Sequence, residues 1–209
     1  MKDYGILPQL MILPKIVDHE KQRHIVAEAA LRVIRRSGLE HASVRNIAGE
    51  AGLSVGSMRH YFSTQAELFA FCMNLFIERV EKRIEAMDGE GPVLINLKRL
   101  LLQFLPVDEE RTMEMEVWLS FRAKALIYPE LRALSDKMHD GIYTAAAFVV
   151  STLLEKKLAK PGLDADMEAE KLYALVDGLA MHRMMRPERL PAERIEAIID
   201  QHLQGLCTP

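Results

Sequence analysis

The stretch from Ser43 to Phe62 constrains the fold of this chain most strongly, because it contains two helix starts with a tight turn between them. Ser43 and Ser54 are both favourable N-cap residues, since a serine oxygen can accept a hydrogen bond from a free amide in the first helical turn. Gly52 stands where the first helix would end, and glycine adopts the left-handed backbone of a sharp turn without a steric cost. The stretch therefore predicts a helix-turn-helix.

The side chains of this stretch divide into an apolar set and a polar set. The apolar residues would hold the two helices at a fixed crossing: Ile47, Ala48, Ala51 and Leu53. Residues at the start of the second helix would then face a groove of DNA. Because many helical hairpins bind no nucleic acid, the motif alone leaves a protein-binding hairpin as an alternative.

The order of residue types over a longer range is more specific. Several short segments follow one another: Ser43-Val-Arg, Ile47-Ala, Ala51-Gly-Leu-Ser, Gly56-Ser, His60-Tyr-Phe and Ser63-Thr-Gln-Ala-Glu-Leu. From about His19 to Phe71, about a quarter of the chain, this order strongly resembles the N-terminal DNA-binding domain of the tetracycline-repressor (TetR/AcrR) family of bacterial transcription regulators.

The resemblance implies DNA contacts position by position. The residues at the implied positions are Ser43, Val44, Arg45, Ser54, Ser57, Met58, Arg59, His60, Tyr61 and Gln65. The chain departs from the family's pattern at Gln65 and Val55, where many relatives have lysine, so some attraction to phosphate is absent. Arg59 stands at a position that is often aromatic, and it would restore part of this attraction or read a guanine. Arg23 and Lys21, in the preceding helix, could also touch phosphate.

The charge of the chain is unevenly distributed. The formal net charge is -3, which is unusual for a protein that binds DNA. Between Lys15 and Phe62, however, there are eight Lys or Arg and five Asp or Glu, whereas the part from Thr64 onward has 18 and 24. Affinity for phosphate depends on the local basic surface rather than on the whole-protein charge. The pattern therefore predicts a small basic head on an acidic body.

Prolines, glycines and apolar spacing divide the chain into three parts. Residues 1–17 lack the basic start and the cleavage site of a signal peptide, and we interpret them as a loosely ordered arm. A minor-groove arm that carries Lys15 is the alternative. Residues 18–63 would form the three-helix DNA-binding domain. Residues 64–209 would form a helical regulatory and dimerisation domain, beginning with a long linking helix over 64–87.

The expected fold is all-α, with about nine helices and no strand, because no alternating pattern of apolar and polar residues is present. Outside the helix-turn-helix, the predicted helices cover residues 18–37, 64–87, 93–105, 108–126, 129–158, 164–185 and 191–204. Thr64 and Glu67 have the spacing of a capping box at the start of the linking helix.

Several other classes of protein receive little support. No run of about 18 uncharged apolar residues occurs, so no segment is expected to cross a membrane. Cys72 and Cys207 have no paired spacing, and the expected compartment is the reducing cytoplasm. Asp136 and His139 would share one helical face, as in half of a di-metal site, but no second pair follows. We expect no cofactor, no metal ion and no catalytic residue, and a metal-dependent helical enzyme is the weakest alternative.

The last two predicted helices carry apolar stripes that would form a homodimer interface. A helix-turn-helix module normally needs two copies to match a palindromic operator. Packing of the same stripes on the chain's own core is the alternative. The predicted interface residues are Leu172, Leu175, Val176, Leu179, Ile195, Ile198, Ile199 and Leu203.

The middle helices contain many large, soft side chains. Such residues usually form a core, but a bundle with an apolar cavity and a few polar groups is what a small-molecule sensor requires. The candidate pocket residues are Phe104, Trp118, Phe121, His139, Tyr143, Asp177 and His182.

Together, these patterns predict a dimeric transcription regulator that binds double-stranded operator DNA and responds to a small, mostly apolar effector. The family resemblance implies a repressor. The alternatives are a helical dimer that binds a ligand or another protein without binding an operator, and the enzyme described above.

Overall fold

The computed structural model describes residues 19–38 and 41–208, so the predicted arm lies outside the described residues. Within them the structure has nine α-helices and no strand, which confirms the predicted all-α fold. The helices are α1 (His19–Ser37), α2 (Val44–Glu50), α3 (Val55–Met58), α4 (Gln65–Glu85), α5 (Val93–Leu101), α6 (Glu109–Ala125), α7 (Arg132–Glu155), α8 (Ala165–Met185) and α9 (Ala192–Leu206). None of the described helices is long and apolar enough to cross a bilayer.

Side-chain caps fix the starts of several helices. The hydroxyls of Ser43 and Ser54 accept hydrogen bonds from the amides three residues further on, at 3.2 and 3.0 Å, and both residues are N-caps as predicted. Asp108 and Asp164 cap α6 and α8 in the same way. Gly52 has a φ of +69°, so the predicted left-handed turn between α2 and α3 is present.

One predicted helix ends early. The helix expected over 93–105 is α-helical only as far as Leu101, and Leu102–Phe104 form a 3-10 turn. Leu105 is extended, with a φ of -121° and a ψ of 141°. The next residue is a proline, whose ring clashes with a helical conformation of the residue before it.

The buried residues form two clusters, and α6 connects them. The first cluster contains residues of α1, α2, α3 and α4, together with Val117, Trp118 and Phe121 of α6. The second lies among α5, α7, α8 and α9, and Met115 of α6 packs against both clusters. We call α1 to α3 the head and α5 to α9 the body. The core of the head therefore does not end at the predicted boundary near residue 63, because α6 contributes to it.

The predicted dimer stripes of α8 and α9 face mainly inward. Six of the eight predicted interface residues are buried in the core of the single chain: Leu172, Val176, Leu179, Ile195, Ile199 and Leu203. Leu175 and Ile198 are half-buried against the same core. The predicted interface is corrected at the six buried positions, because α8 packs on α7 and α9 packs on α5 through these stripes.

A half-buried histidine makes the stability of the body dependent on pH. His202 of α9 has an Nε2 atom that is buried without a hydrogen-bond partner among the described residues. Burial lowers the pKa of His202 below its ordinary value of 6.5, and it lowers the pKa of His139 in the same direction. Protonation therefore favours the unfolded state. The stability that this histidine contributes is complete above pH 6.5 and is lost as the pH falls through the folded-state pKa.

We expect the melting temperature to fall between pH 7.5 and pH 5.5, a window above the titration of ordinary carboxylates. His202→Gln should show a smaller fall, as measured by circular dichroism during heating. His41→Gln changes an exposed histidine and should keep the wild-type response. A wild-type response in His202→Gln, or a gain of stability on acidification, would contradict this account.

Candidate DNA-binding surface and ligand cavity

The helix-turn-helix is held together by an apolar core. Ile47 and Ala48 of α2 are buried, and Val44 and Tyr61 pack against the same cluster. Met58, the last residue of α3, is only 2 % exposed. Its prediction as a DNA contact is corrected, because its side chain fills the core of the head and cannot reach a groove.

Two arginines of the head remain available to DNA. Arg45 and Arg59 are exposed, and neither guanidinium has a hydrogen-bond or ion-pair partner among the described residues. His60 is also exposed, beside Arg59. The arginines of α1, in contrast, pair with carboxylates: Arg32 and Arg36 with Glu50, Arg35 with Glu109, and Arg23 with Glu67. The unpaired positive charge of α2, α3 and the residues after α3 therefore comes from Arg45 and Arg59.

Unlike Arg45 and Arg59, several other predicted DNA contacts have hydrogen-bond partners within the protein. Ser43 and Ser54 cap their helices, and the Ser57 hydroxyl lies 2.9 Å from that of Ser54. Gln65 donates a hydrogen bond from Nε2 to the carbonyl of Ala42 at 2.6 Å. This bond ties the first residue of α4 to the segment before α2. The position of α4 therefore affects the helix-turn-helix directly.

A cavity of about 260 Å³ lies between α4, α6, α7 and the 3-10 turn that follows α5. Its wall is mainly apolar and aromatic: Phe76, Val80, Phe104, Met115, Trp118 and Ile142. Gly141 also lines it, and a Cβ atom at this position would have no other atom within 4 Å. Gly141 is exposed, so this position of the cavity wall has room for a side chain.

A partly buried ion pair adjoins the cavity, and its carboxylate, Glu114, is part of the wall. Glu114 of α6 is only 8 % exposed, and it accepts two hydrogen bonds from Arg83 of α4, at 2.9 and 2.8 Å. The Glu114 carboxylate raises the pKa of Arg83, so this guanidinium keeps its positive charge. Arg83 also donates to Gln103 at 3.2 Å. This arginine therefore connects three of the four walls of the cavity.

The remaining polar groups of the wall differ in their pairing. Arg111 donates to the carboxylate of Asp108 and to the carbonyl of Leu102. Glu81 and Lys137 have no ion-pair partner among the described residues. The cavity thus offers an apolar interior and only two uncommitted charges of opposite sign.

The predicted pocket residues fall into three places. Phe104 and Trp118 are in the cavity wall, whereas Phe121 is buried in the core that α6 shares with the head. Tyr143 and His182 are exposed. The Phe121, Tyr143 and His182 assignments are corrected, because none of these side chains lines the cavity.

His139 and Asp177 belong to a polar group on another side of Trp118. His139 shares a hydrogen bond with Tyr173, and its ring lies 5.5 Å from that of Trp118. Asp177 accepts a hydrogen bond from Arg122 at 2.7 Å. Both assignments to the pocket are therefore corrected. No group of three metal-binding side chains occurs in the described part of the chain.

Sequence reasoning missed Arg83 and Glu114, although the sequence contains a signal for Glu114. Glu114, Val117, Trp118 and Phe121 have the i, i+3, i+4, i+7 spacing of one helical face. A carboxylate on an otherwise apolar face requires a buried partner, because an unpaired buried charge is costly. The signal does not identify Arg83, which is 31 residues away.

The structure thus joins a DNA-reading head to a body with a cavity, which is the design of a DNA-binding transcription regulator. Family models agree with this class. Residues 26–71 match the tetR family of bacterial regulatory proteins, and residues 96–208 match the C-terminal part of BetI-type transcriptional repressors. The chain belongs to the TetR family of bacterial transcription regulators, so it is not an enzyme.

Individual relatives support this assignment over nearly the whole chain. The HTH-type transcriptional regulator PksA of Bacillus subtilis (strain 168) is 47 % identical over 197 residues, which cover 93 % of this chain and 94 % of that protein. The crystal structure of a transcriptional regulator from Rhodococcus sp. Rha1 is 32 % identical, with a TM-score of 0.76, and the match covers 88 % of this chain and 95 % of that one.

A third relative was crystallised with a small molecule. The regulator from Saccharomonospora viridis in complex with choline has a TM-score of 0.79 and 21 % identity, and the match covers 91 % of this chain and 99 % of that one. This likeness shows that the two proteins share a fold.

The Arg83–Glu114 pair should stabilise the contact between α4 and α6. Glu114→Leu and Arg83→Met each leave one partner without its opposite charge. Each should lower the free energy of unfolding by about 1 to 3 kcal/mol, less than for a fully buried pair because Arg83 keeps some access to water. The double variant Arg83→Met/Glu114→Leu should lose less than the sum of the two single variants.

A double-mutant cycle in urea, with Glu114→Leu as its second single variant, measures this coupling. The exposed pair of Arg99 and Asp88 provides a control, and its cycle should give a coupling below about 1 kcal/mol. Additive effects at Arg83 and Glu114 would contradict the proposed contact.

Proposed function

We propose that this regulator is a dimeric repressor that leaves a palindromic operator when a small, mainly apolar molecule occupies the cavity. One observation carries the proposal: α4 contacts the head at one end and forms a wall of the cavity at the other. We place the protein in the cytoplasm, where it reaches chromosomal DNA. The proposed DNA-facing residues are Ser43, Arg45, Ser54, Ser57, Arg59 and His60.

Two sets of contacts support α4 as the connection between ligand and DNA. Near its start, Gln65 and Glu67 bind Ala42 and Arg23. Further along, Phe76, Val80 and Ile84 face the cavity. Occupation of the cavity would therefore act on the helix that supports the head. An effector shifts the equilibrium only if it binds the two states with different affinity, and a tenfold loss of operator affinity needs about 1.4 kcal/mol of coupling.

The pairing of the wall residues supports an effector with an apolar body. Arg111 and Glu114 already have partners, so a polar ligand would have to compete with those partners. A single polar or charged group at one end of the ligand could meet Glu81 or Lys137. The choline complex of the Saccharomonospora viridis regulator supports a small-molecule site in a body of this architecture.

The outward face of α8 supports a homodimer. The exposed apolar residues of this face are Met167, Ala174, Met181 and Met185, Gly178 lies among them, and the exposed Glu170 and Lys171 lie on the same face. Small residues allow two helices to approach closely, and the exposed methionines can pack into an adaptable contact. Two copies would place their α3 helices about 34 to 36 Å apart, or a multiple of one DNA turn, as successive major grooves require.

Replacement of Arg45 or Arg59 by Ala should weaken operator binding by about 1 to 3 kcal/mol if the arginine reads a base. The operator can be selected from genomic fragments, and its affinity can be measured by fluorescence anisotropy at moderate salt. Arg36→Ala is the matched control, because Arg36 is an exposed head arginine already paired with Glu50. Wild-type affinity in both Arg45→Ala and Arg59→Ala would remove these residues from the interface.

Charge on the outward face of α8 should separate the protomers. Ala174→Glu and Met181→Glu place a carboxylate in the proposed apolar contact, where it would lack a partner. Sedimentation velocity should show monomers with wild-type helix content. Leu126→Glu is the control, because Leu126 is 82 % exposed in the turn after α6. An intact dimer in both α8 variants would place the interface elsewhere.

A larger side chain at Gly141 should block the effector. Gly141→Leu adds a large apolar side chain at a residue that lines the cavity, whereas Gly141→Ala adds one methyl group and serves as the control. A library of apolar compounds is first tested for release of the operator from the wild-type protein. A compound that releases DNA from the wild type and Gly141→Ala should fail with Gly141→Leu and weaken with Trp118→Ala. Equal release from all four proteins would show that the cavity is not the effector site.

A further inference from the structure

The segment that would read the operator is too short to hold its own orientation. We call residues Val55 to Tyr61 the recognition segment. Its helix, α3, has only four residues. A single helical turn is not stable alone, because the entropy lost in nucleation exceeds what one or two hydrogen bonds return. The direction in which Arg59 and His60 point must therefore be set by contacts with other elements.

Two side chains of α1 supply such contacts at the end of the segment. The carbonyls of His60 and Tyr61 receive no hydrogen bond from a backbone amide of the described chain. His19 Nε2 lies 3.1 Å from the His60 carbonyl, and Arg23 Nη1 donates to the Tyr61 carbonyl at 3.2 Å. His19 and Arg23 are one helical turn apart on the same face of α1. They therefore bind two consecutive carbonyls of the recognition segment.

Arg23 is itself held in a fixed position. Its guanidinium lies 4.5 Å from the centre of the Phe62 ring and 4.8 Å from that of Phe71. The same Nη1 atom donates to Glu67 of α4 at 3.2 Å. With its side chain 22 % exposed, this arginine is enclosed by α4 and the end of the recognition segment. The Nη1 atom is therefore committed to Tyr61 and Glu67, and the Nε atom is buried without a hydrogen-bond partner among the described residues.

We propose that Arg23 is a positioning residue for operator recognition: together with His19, it fixes the recognition segment against α1 and α4 and makes no phosphate contact of its own. The role depends on the planar fork of arginine, which donates hydrogen bonds and stacks on rings at the same time. Lysine has the same charge but neither the fork nor the flat face. Arg23→Lys therefore keeps the positive charge and removes the geometry that would position the recognition segment.

The test compares the full-length wild type, Arg23→Lys and the control Arg36→Lys, which changes an exposed arginine of the same helix. Each protein is titrated with the duplex that the wild type selects from a random-sequence pool and with a scrambled duplex, over a range of salt concentrations. We expect Arg23→Lys to bind the selected duplex about tenfold more weakly. Its affinity for the scrambled duplex should stay within about twofold, and its salt dependence should be unchanged. Arg36→Lys should match the wild type with both duplexes.

Two outcomes would overturn the proposal. Equal weakening on both duplexes, with a salt slope reduced by about one, would show that Arg23 contacts phosphate. Unchanged affinity for the selected duplex would show that Arg23 only stabilises the head.

If Arg23→Lys is not fully folded at the assay temperature, His19→Ala makes the same test, because His19 is exposed and outside the core. It should weaken only the selected duplex, by about threefold. Wild-type discrimination between the two duplexes in His19→Ala would overturn the proposal. Failure of the wild type to select any duplex would instead contradict operator binding, on which this inference rests.

Discussion

The packing of α6 into the core of the head is the contact on which the rest of the structure depends. Val117, Trp118 and Phe121 lie in the same cluster as the buried residues of α1 and α4. A close-packed core transmits displacement, because separating its parts exposes apolar surface and leaves cavities. The head therefore cannot rotate freely relative to the body. Any change in the orientation of the head requires a coordinated movement of α4 and α6.

The cavity lies beside this shared core, and its polar wall adds a second constraint. Trp118 contributes to both the core and the cavity wall, while Arg83 and Glu114 join α4 to α6 a short distance away. Apolar packing tolerates small shifts, but a partly buried bidentate ion pair has a narrow range of favourable geometry. An occupant of the cavity would thus act on two helices whose relative position is held by both kinds of contact. This arrangement gives a physical basis for communication between a ligand and the operator.

Sequence reasoning succeeded where the cause of the structure is local. The caps at Ser43 and Ser54 and the turn at Gly52 depend on a few neighbouring residues, and the structure contains all three. It failed where the partner of an apolar face had to be known. The stripe that contains Leu179 has the same periodicity whether it meets a second protomer or α7, and Met58 was assigned to DNA although its side chain fills the head. The Arg83–Glu114 pair joins distant parts of the chain, which periodicity alone does not connect.

Hydrogen exchange in a Phe121→Ala variant tests the shared core most directly. Loss of a buried phenylalanine usually costs about 3 to 5 kcal/mol, and the cavity it leaves would lie between α6 and the head. If the core is continuous, the protected amides of α1, far from residue 121 in sequence, should exchange at least about tenfold faster than in the wild type, together with those of α6. Unchanged exchange in α1 alongside faster exchange in α6 would show that head and body open independently, and it would contradict the coupling described above.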